Sequence, residues 1–354
     1  GAGLAGMTAA LELSKAGYEC QILEARSFAG GRCQTARKGF VLNELGGEAQ
    51  TCNLDDGEYF NHAAWRIPYQ HQSTLYYTKT LGVPLEVFVN DNEHAYLYYE
   101  KGAGPLVGKP IRRGQIAADV RGNTAEILVK LTKNGALDQR FTAEDRDAFI
   151  AYLVSDGLLS PKELAYGASP ARGYDVNPGA GLDPGAGKLS EPFRFEDVLH
   201  SKMWDRLTSV SDDHPKTMFQ AVGGMDRIAK AFETKVGRMI SYSTIVEKIE
   251  QNDKGVRVSY VDASGKKGTV SADYCFCTIP LSVLKGIDMQ VSPKFKEAMS
   301  GVAYTAVGKI GLQMKRRFWE ENHHIYGGIV QTDNPELGSI ALPSWNWQGQ
   351  KGVL

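Results

Sequence analysis

Long apolar runs are missing from this 354-residue chain. None approaches the roughly 18 to 20 residues that a bilayer-spanning helix needs, so no such helix is expected within these residues and no membrane is expected as a partner. An excess of one charge is missing too, with 40 Lys and Arg against 41 Asp and Glu. That balance argues against a basic nucleic-acid-binding surface. Cysteine is scarce: Cys20, Cys33, Cys52, Cys275 and Cys277 are scattered and odd in number, which fits reduced core thiols better than a disulfide framework. The Cys275-x-Cys277 pair reads as two side chains on one face of a buried strand ahead of a metal site. Metal spacing is absent from the seven histidines, of which His323 and His324 are adjacent; no metal is expected.

The length that remains is enough for two or three domains. At 42% hydrophobic and 23% charged residues, the composition is that of an ordinary globular protein with a sizeable core.

The chain opens with GAGLAG, placing Gly1, Gly3 and Gly6 at G-x-G-x-x-G spacing. Such a turn normally follows a buried strand and opens a helix, so that backbone can approach a dinucleotide pyrophosphate facing the helix N-terminus. Here the helix pattern is present and the strand is not. The stretch LAGMTAALELSKAGYECQILEAR predicts a helix from Leu4, a stop at Gly17 and an extended run over Tyr18 to Leu23, the α-then-β half of a βαβ unit. Glu24 follows, eighteen residues after Gly6, where a carboxylate can accept both hydroxyls of an adenosine ribose. Next comes ARSFAGGRCQT. Gly30 and Gly31 permit a second close backbone approach, and Arg32 either offsets pyrophosphate charge or forms a surface salt bridge. Together they favour FAD, held along its length, over NAD.

Further on, STIVEKIEQNDKGVRVSYVDASGKKGTVSADYCFCTIP reads as a β-meander returning to the same sheet, ending in a more buried strand at Tyr274 to Ile279. Between Phe141 and Phe232 the apolar spacing is largely helical. It is interrupted from Gly173 to Pro192 by a Gly/Pro-rich stretch expected to be an irregular loop, either over a site entrance or simply on the surface. IYGGIVQTDNPELGSIALPSWNW predicts hairpin strands, beside a helix and charge run, MKRRFWEEN, expected to be exposed.

Four blocks carry a resemblance that extends over nearly the whole chain: the opening through Arg32, ELGGEAQ at Glu44 to Gln50, GGMDRIAKAF at Gly223 to Phe232, and GKIGLQMKRRFWEEN around Lys309. In this order they resemble the flavin-dependent amine oxidases, the family of monoamine, polyamine and L-amino-acid oxidases. The resemblance implies that Lys309 holds a water near flavin N5 and assists the reaction with oxygen. It also places Gly46, Gly47 and Val246 among the cofactor-binding residues, Val246 at the adenine. Read without the family, Lys309 is either a buried ammonium with a purpose or an edge-strand lysine facing solvent. AAWRIPYQHQSTLYYTKTLGVPLE looks like the L-amino-acid oxidase segment whose arginine binds the substrate carboxylate, by match Arg66. A guanidinium can hold a carboxylate by two parallel hydrogen bonds and orient the α-hydrogen; pairing with a neighbouring acid is the alternative. One departure stands out: GSIALPSWNW lacks the tyrosine that venom-type L-amino-acid oxidases pair with that arginine, although Tyr326, Trp345 and Trp347 are nearby in sequence.

The expected fold is therefore α/β: a Rossmann-like FAD-binding domain with a mixed-sheet substrate domain and a helical insertion. The expected division is 1–55 with 225–287 for FAD, 56–140 with 288–354 for substrate, and 141–224 helical. The implied reaction is oxidative deamination of L-amino acids, with O2 as second substrate and a homodimer as the assembly. The alternatives are a monoamine or polyamine oxidase, or a flavin-containing subunit without turnover. The missing first strand and closing flavin segment imply a portion of a larger flavoenzyme that neither folds stably nor holds FAD alone.

Overall fold

The computed structural model describes residues 1–43, 47–137, 139–182, 184–207, 214–305 and 307–354. It is a mixed α/β structure with several sheets, divided into two compact units. The first comprises Gly1–Val87, Phe219–Met314 and Val353; the second comprises Phe88–Met218, Lys315–Gly352 and Leu354.

In the first unit the opening helix forms where its pattern predicts, over Leu4–Lys15. Gly17 beyond its end adopts φ +91°, a conformation that glycine takes without steric cost. The apolar face of this helix, Met7, Ala10 and Leu11, packs in one core with Ile228, Ala229, Phe232 and Val236 of the helix Asp226–Val236. Burying a residue such as Phe232 contributes about 1.5–3 kcal/mol. Of the extended run expected after Gly17, only Ile22–Leu23 is a strand, and it pairs in parallel with Ile240–Ser241.

The meander forms as expected from Ile245–Asn252, Gly255–Val261 and Lys267–Ala272. It does not return to the sheet of Ile22–Leu23. Instead it makes a separate four-stranded sheet whose other edge is Asp288–Met289. The buried strand expected at Tyr274 to Ile279 is not found: the segment joins no ladder, Tyr274 is 76% and Phe276 62% exposed, and both Cys275 and Cys277 are exposed. Alternating side chains are buried only where a neighbouring strand completes the sheet, and among the described residues none pairs with this segment.

The second unit holds a mixed sheet in the order Ser339–Leu342, Gly328–Thr332, Tyr96–Tyr98, Ile111–Arg112, with a parallel pair at its centre and antiparallel flanks. The hairpin expected around IVQTDNPELGSIAL is its first pair. Helices Arg113–Lys133 and Ala143–Asp156 pack through Ala125, Val129 and Leu153, and the second begins with a capping box between Thr142 and Asp145. The Gly/Pro-rich stretch is not wholly irregular, because Tyr174–Val176 and Lys188–Leu189 close it as a short hairpin. Buried Asp119 lies within the first of these helices. It accepts hydrogen bonds from Arg172, from the Tyr166 hydroxyl and from the Phe193 amide, so a fully desolvated ion pair is satisfied on all sides. The MKRRFWEEN run is exposed only in part: Lys315, Arg316, Glu321 and Asn322 are exposed, whereas Arg317, Trp319 and Glu320 are buried, with Arg317 Nε donating to Glu320 Oε1 at 2.7 Å.

Among the described residues, no helix is long and apolar enough to cross a membrane.

Candidate functional site

The candidate residues that the structure describes lie in the first unit. The glycines at its start form a cradle. Gly3 caps the opening helix with extended backbone and no side-chain cap, and the first intrahelical bond is Met7 N–H to Gly3 O. The amides before Met7 therefore have no acceptor within the helix, which makes this end a ready site for an anion. Side chains are excluded there by geometry: a Cβ on Gly6 would lie 1.9 Å from the Gly1 carbonyl oxygen, and one on Gly31 would lie 3.1 Å from the Gly3 Cα. Gly30 and Gly31 sit at φ +112° and +55°. Gly30 N–H donates to the Ala2 carbonyl at 2.8 Å and bridges to Gly3. Both glycine segments thus meet backbone to backbone.

Glu24 lies at the end of its strand and is buried. One carboxylate oxygen accepts the Ala2 amide at 2.6 Å and the other the Arg26 amide at 2.9 Å. A carboxylate offers about four acceptor positions, so capacity for hydroxyl donors remains. Arg32 is exposed, while its carbonyl accepts the Ala64 amide at 3.2 Å. That bond joins the glycine cradle to the segment carrying Arg66. Val246, half-buried on the first meander strand, stands opposite Tyr260 just before a register shift. Gly47 is exposed; Gly46 lies outside the described residues.

The segment 60–67 is held at several points. Ile67 exchanges backbone hydrogen bonds with Phe219, and Phe60 with Ala36. The Asn61 side-chain oxygen accepts both the Thr35 hydroxyl at 2.7 Å and the Met225 amide at 3.0 Å. Its neighbour Asp226 takes a two-pronged ion pair from Arg37 at 2.8 and 2.9 Å. The GGMDR motif therefore works as a structural hub that fixes the start of this segment.

Lys309 reaches the same segment from 243 positions later in the chain. It lies in irregular structure, not in an edge strand, and is an exposed residue. Its ammonium is nonetheless tied down, donating to the Ala63 carbonyl at 2.6 Å and the Asn61 carbonyl at 3.4 Å. Two neighbours hold it there. A Cβ on Gly311 would lie 2.7 Å from the Phe60 ring, and Gln313 exchanges hydrogen bonds with Asp55, each at 2.7 Å. Desolvation, and then the charge of Arg66, push the Lys309 pKa down. Half-buried Arg66 is pushed down by desolvation as well.

Trp65 and His62 were not singled out by sequence reasoning as parts of a site. The Trp65 ring centroid lies 4.6 Å from the Arg66 guanidinium carbon and 5.2 Å from Lys309 Nζ. The available signal was an aromatic residue directly before the arginine. The His62 ring lies 5.3 Å from that of Phe40, and its buried Nε2 has no hydrogen-bond partner among the described residues. Its pKa is pushed down by desolvation, then by Lys309 and Arg26. The result is a cationic patch beside a glycine cradle, suited to an anionic ligand.

Comparison with known proteins is consistent with this chemistry. The chain belongs to the flavin containing amine oxidoreductase family, whose model matches residues 4–350. Among curated relatives it is similar to the L-amino acid oxidase bordonein-L of Crotalus durissus terrificus, with 27% identity covering 100% of this chain and 64% of the relative. It is also similar to the L-amino-acid oxidase of Echis ocellatus, with 26% identity covering 100% of this chain and 66% of the relative. The chain thus spans about two thirds of the length of these relatives. Among solved structures, a cofactor-binding redesign of putrescine oxidase superposes with TM-score 0.57 at 16% identity, over 100% of this chain and 72% of that one. The cofactor of the chain is FAD. The uncapped helix start and the glycines that would clash if given a Cβ fit its pyrophosphate.

Proposed function

We propose that the protein is an FAD-dependent L-amino-acid oxidase, which converts an L-amino acid, O2 and water to a 2-oxo acid, ammonia and hydrogen peroxide. The convergence of Arg66 and Lys309 on one segment carries this reading. A cationic patch suits a substrate with a carboxylate and opposes a diamine, whose positive charges would be repelled. The names of the curated relatives support the same choice.

In this reading the cradle, the opening helix and Ile22–Leu23 belong to a Rossmann-like FAD domain, within the three-part division expected from the sequence. Gly1, Gly3, Gly6, Gly30 and Gly31 receive the pyrophosphate through backbone, and Arg32 offsets its charge. Glu24 accepts the ribose hydroxyls and Val246 meets the adenine; Gly46 and Gly47 complete the cofactor contacts. When bound, FAD would supply the two-electron oxidation chemistry, with O2 as the final acceptor. Arg66 holds the substrate carboxylate through paired hydrogen bonds and so fixes the direction of the α-hydrogen. Lys309 places a fixed positive charge where negative charge develops during oxygen reduction.

A peroxide-release assay over a panel of L-amino acids and their decarboxylated amines tests the proposal. Turnover of the amino acids alone supports it. Turnover of the amines alone would establish an amine oxidase, and turnover of neither would leave a flavoprotein without this activity.

A further inference from the structure

The Trp65 indole lies within cation–π range of two separate charges, Arg66 at 4.6 Å and Lys309 at 5.2 Å. Two like charges drawn toward one point repel, and partial desolvation makes the repulsion worse. The Ala63 and Asn61 carbonyls accept from Lys309, and the negative ring face of the indole lies against both cations. Trp65 is itself half-buried, in a segment anchored on one side by Asn61 and on the other by Ile67. The backbone that carries the ring is therefore held on both sides. A Leu of similar apolar bulk would keep the packing and lose the quadrupole; a Phe would keep both.

We propose that Trp65 is a positioning residue that holds Arg66 and Lys309 on one aromatic surface, coupling substrate carboxylate binding to the charge that serves oxygen reduction. This inference rests on the amino-acid oxidase reading of the same site. Among the described residues, Lys309 also acts on His62, and so does Arg26.

The test compares Trp65→Phe and Trp65→Leu in the FAD-loaded protein, with two readouts. Stopped-flow reduction by an L-amino acid, followed by reoxidation with O2, measures both uses of the site. Trp65→Phe is expected to stay within about threefold of the parent in both steps, whereas Trp65→Leu raises the substrate concentration for half-maximal reduction and slows reoxidation, each by about tenfold. The second readout needs no turnover. NMR titration of isotopically methylated lysines, with the Lys309 signal assigned from Lys309→Arg, is expected to show a lower Lys309 pKa in Trp65→Leu and an unchanged one in Trp65→Phe. If both variants leave the Lys309 titration and both rates alike, the positioning role is overturned. If the parent is not reduced by any amino acid while the titration moves as expected, the indole still holds the lysine and it is the amino-acid reading that fails.

Discussion

Lys309 donates a 2.6 Å hydrogen bond to the carbonyl of Ala63, so the ammonium is fixed by backbone three positions before the arginine proposed to bind substrate. A carbonyl acceptor orients the charge without neutralising it, as a carboxylate would. Changing Lys309 to Met is therefore expected to slow reoxidation by O2 by about 100-fold, the scale for losing one preorganised electrostatic contact. Anaerobic reduction by substrate should change far less. Equal loss in both half-reactions would place Lys309 in substrate binding instead.

The same lysine gives a stability prediction with a definite sign. Its pKa in the fold is pushed below the ordinary 10.5, so between the lowered value and 10.5 the unfolded chain binds more protons. Stability should rise with pH across that window. Urea titrations of the parent and Lys309→Met over alkaline pH check this: the difference between them should shift in the parent's favour as pH increases.

His62 behaves in the same direction at lower pH. Desolvation, Lys309 and Arg26 hold its pKa below the ordinary 6.5, so the folded imidazole is neutral at pH 7. Acidification forces a further charge beside two cations, and stability falls as pH drops from 6.5 toward the lowered value. His62→Gln should remove that part of the slope. An identical acid limb in the variant would show that other groups account for it.

Gly31 tests the cradle. At φ +55°, with the Gly3 Cα 3.1 Å from any added Cβ, Ala brings both backbone strain and displacement of the opening loop. Gly31→Ala is expected to weaken FAD binding by about tenfold or more, measured by flavin fluorescence on reconstitution of stripped protein. Gly17→Ala is the control, because its φ is also positive but nothing lies within 4 Å of an added Cβ. It should affect stability and leave flavin affinity unchanged.

Local elements were the most legible in the sequence. The opening helix, the meander and the Gly328–Thr332 hairpin follow from periodicity and turn residues within a short window. Burial was less so. Arg317 and Glu320 read as a solvated charge run, yet each satisfies the other in the interior, and a pairing that removes two charges from water leaves no mark in hydropathy. Conversely, Tyr274 and Phe276 have the composition of a buried strand, but composition cannot supply the neighbour that burial needs. In the candidate site, Arg66 and Lys309 were singled out through resemblance, whereas Trp65 was not. Its contact with Lys309 joins residues far apart in sequence.

The central claim is that Arg66 selects substrates by their carboxylate, and anaerobic flavin bleaching of the parent and Arg66→Ala measures it most directly. With an L-amino acid, Arg66→Ala is expected to lose more than about tenfold in the apparent second-order rate of bleaching, equivalent to ~1.4 kcal/mol, and Arg66→Lys should recover little because an ammonium lacks the planar fork. With the matching decarboxylated amine, parent and variant should bleach equally slowly. Retention of amino-acid bleaching in Arg66→Ala, or faster bleaching of the parent by the amine than by the amino acid, would contradict the account.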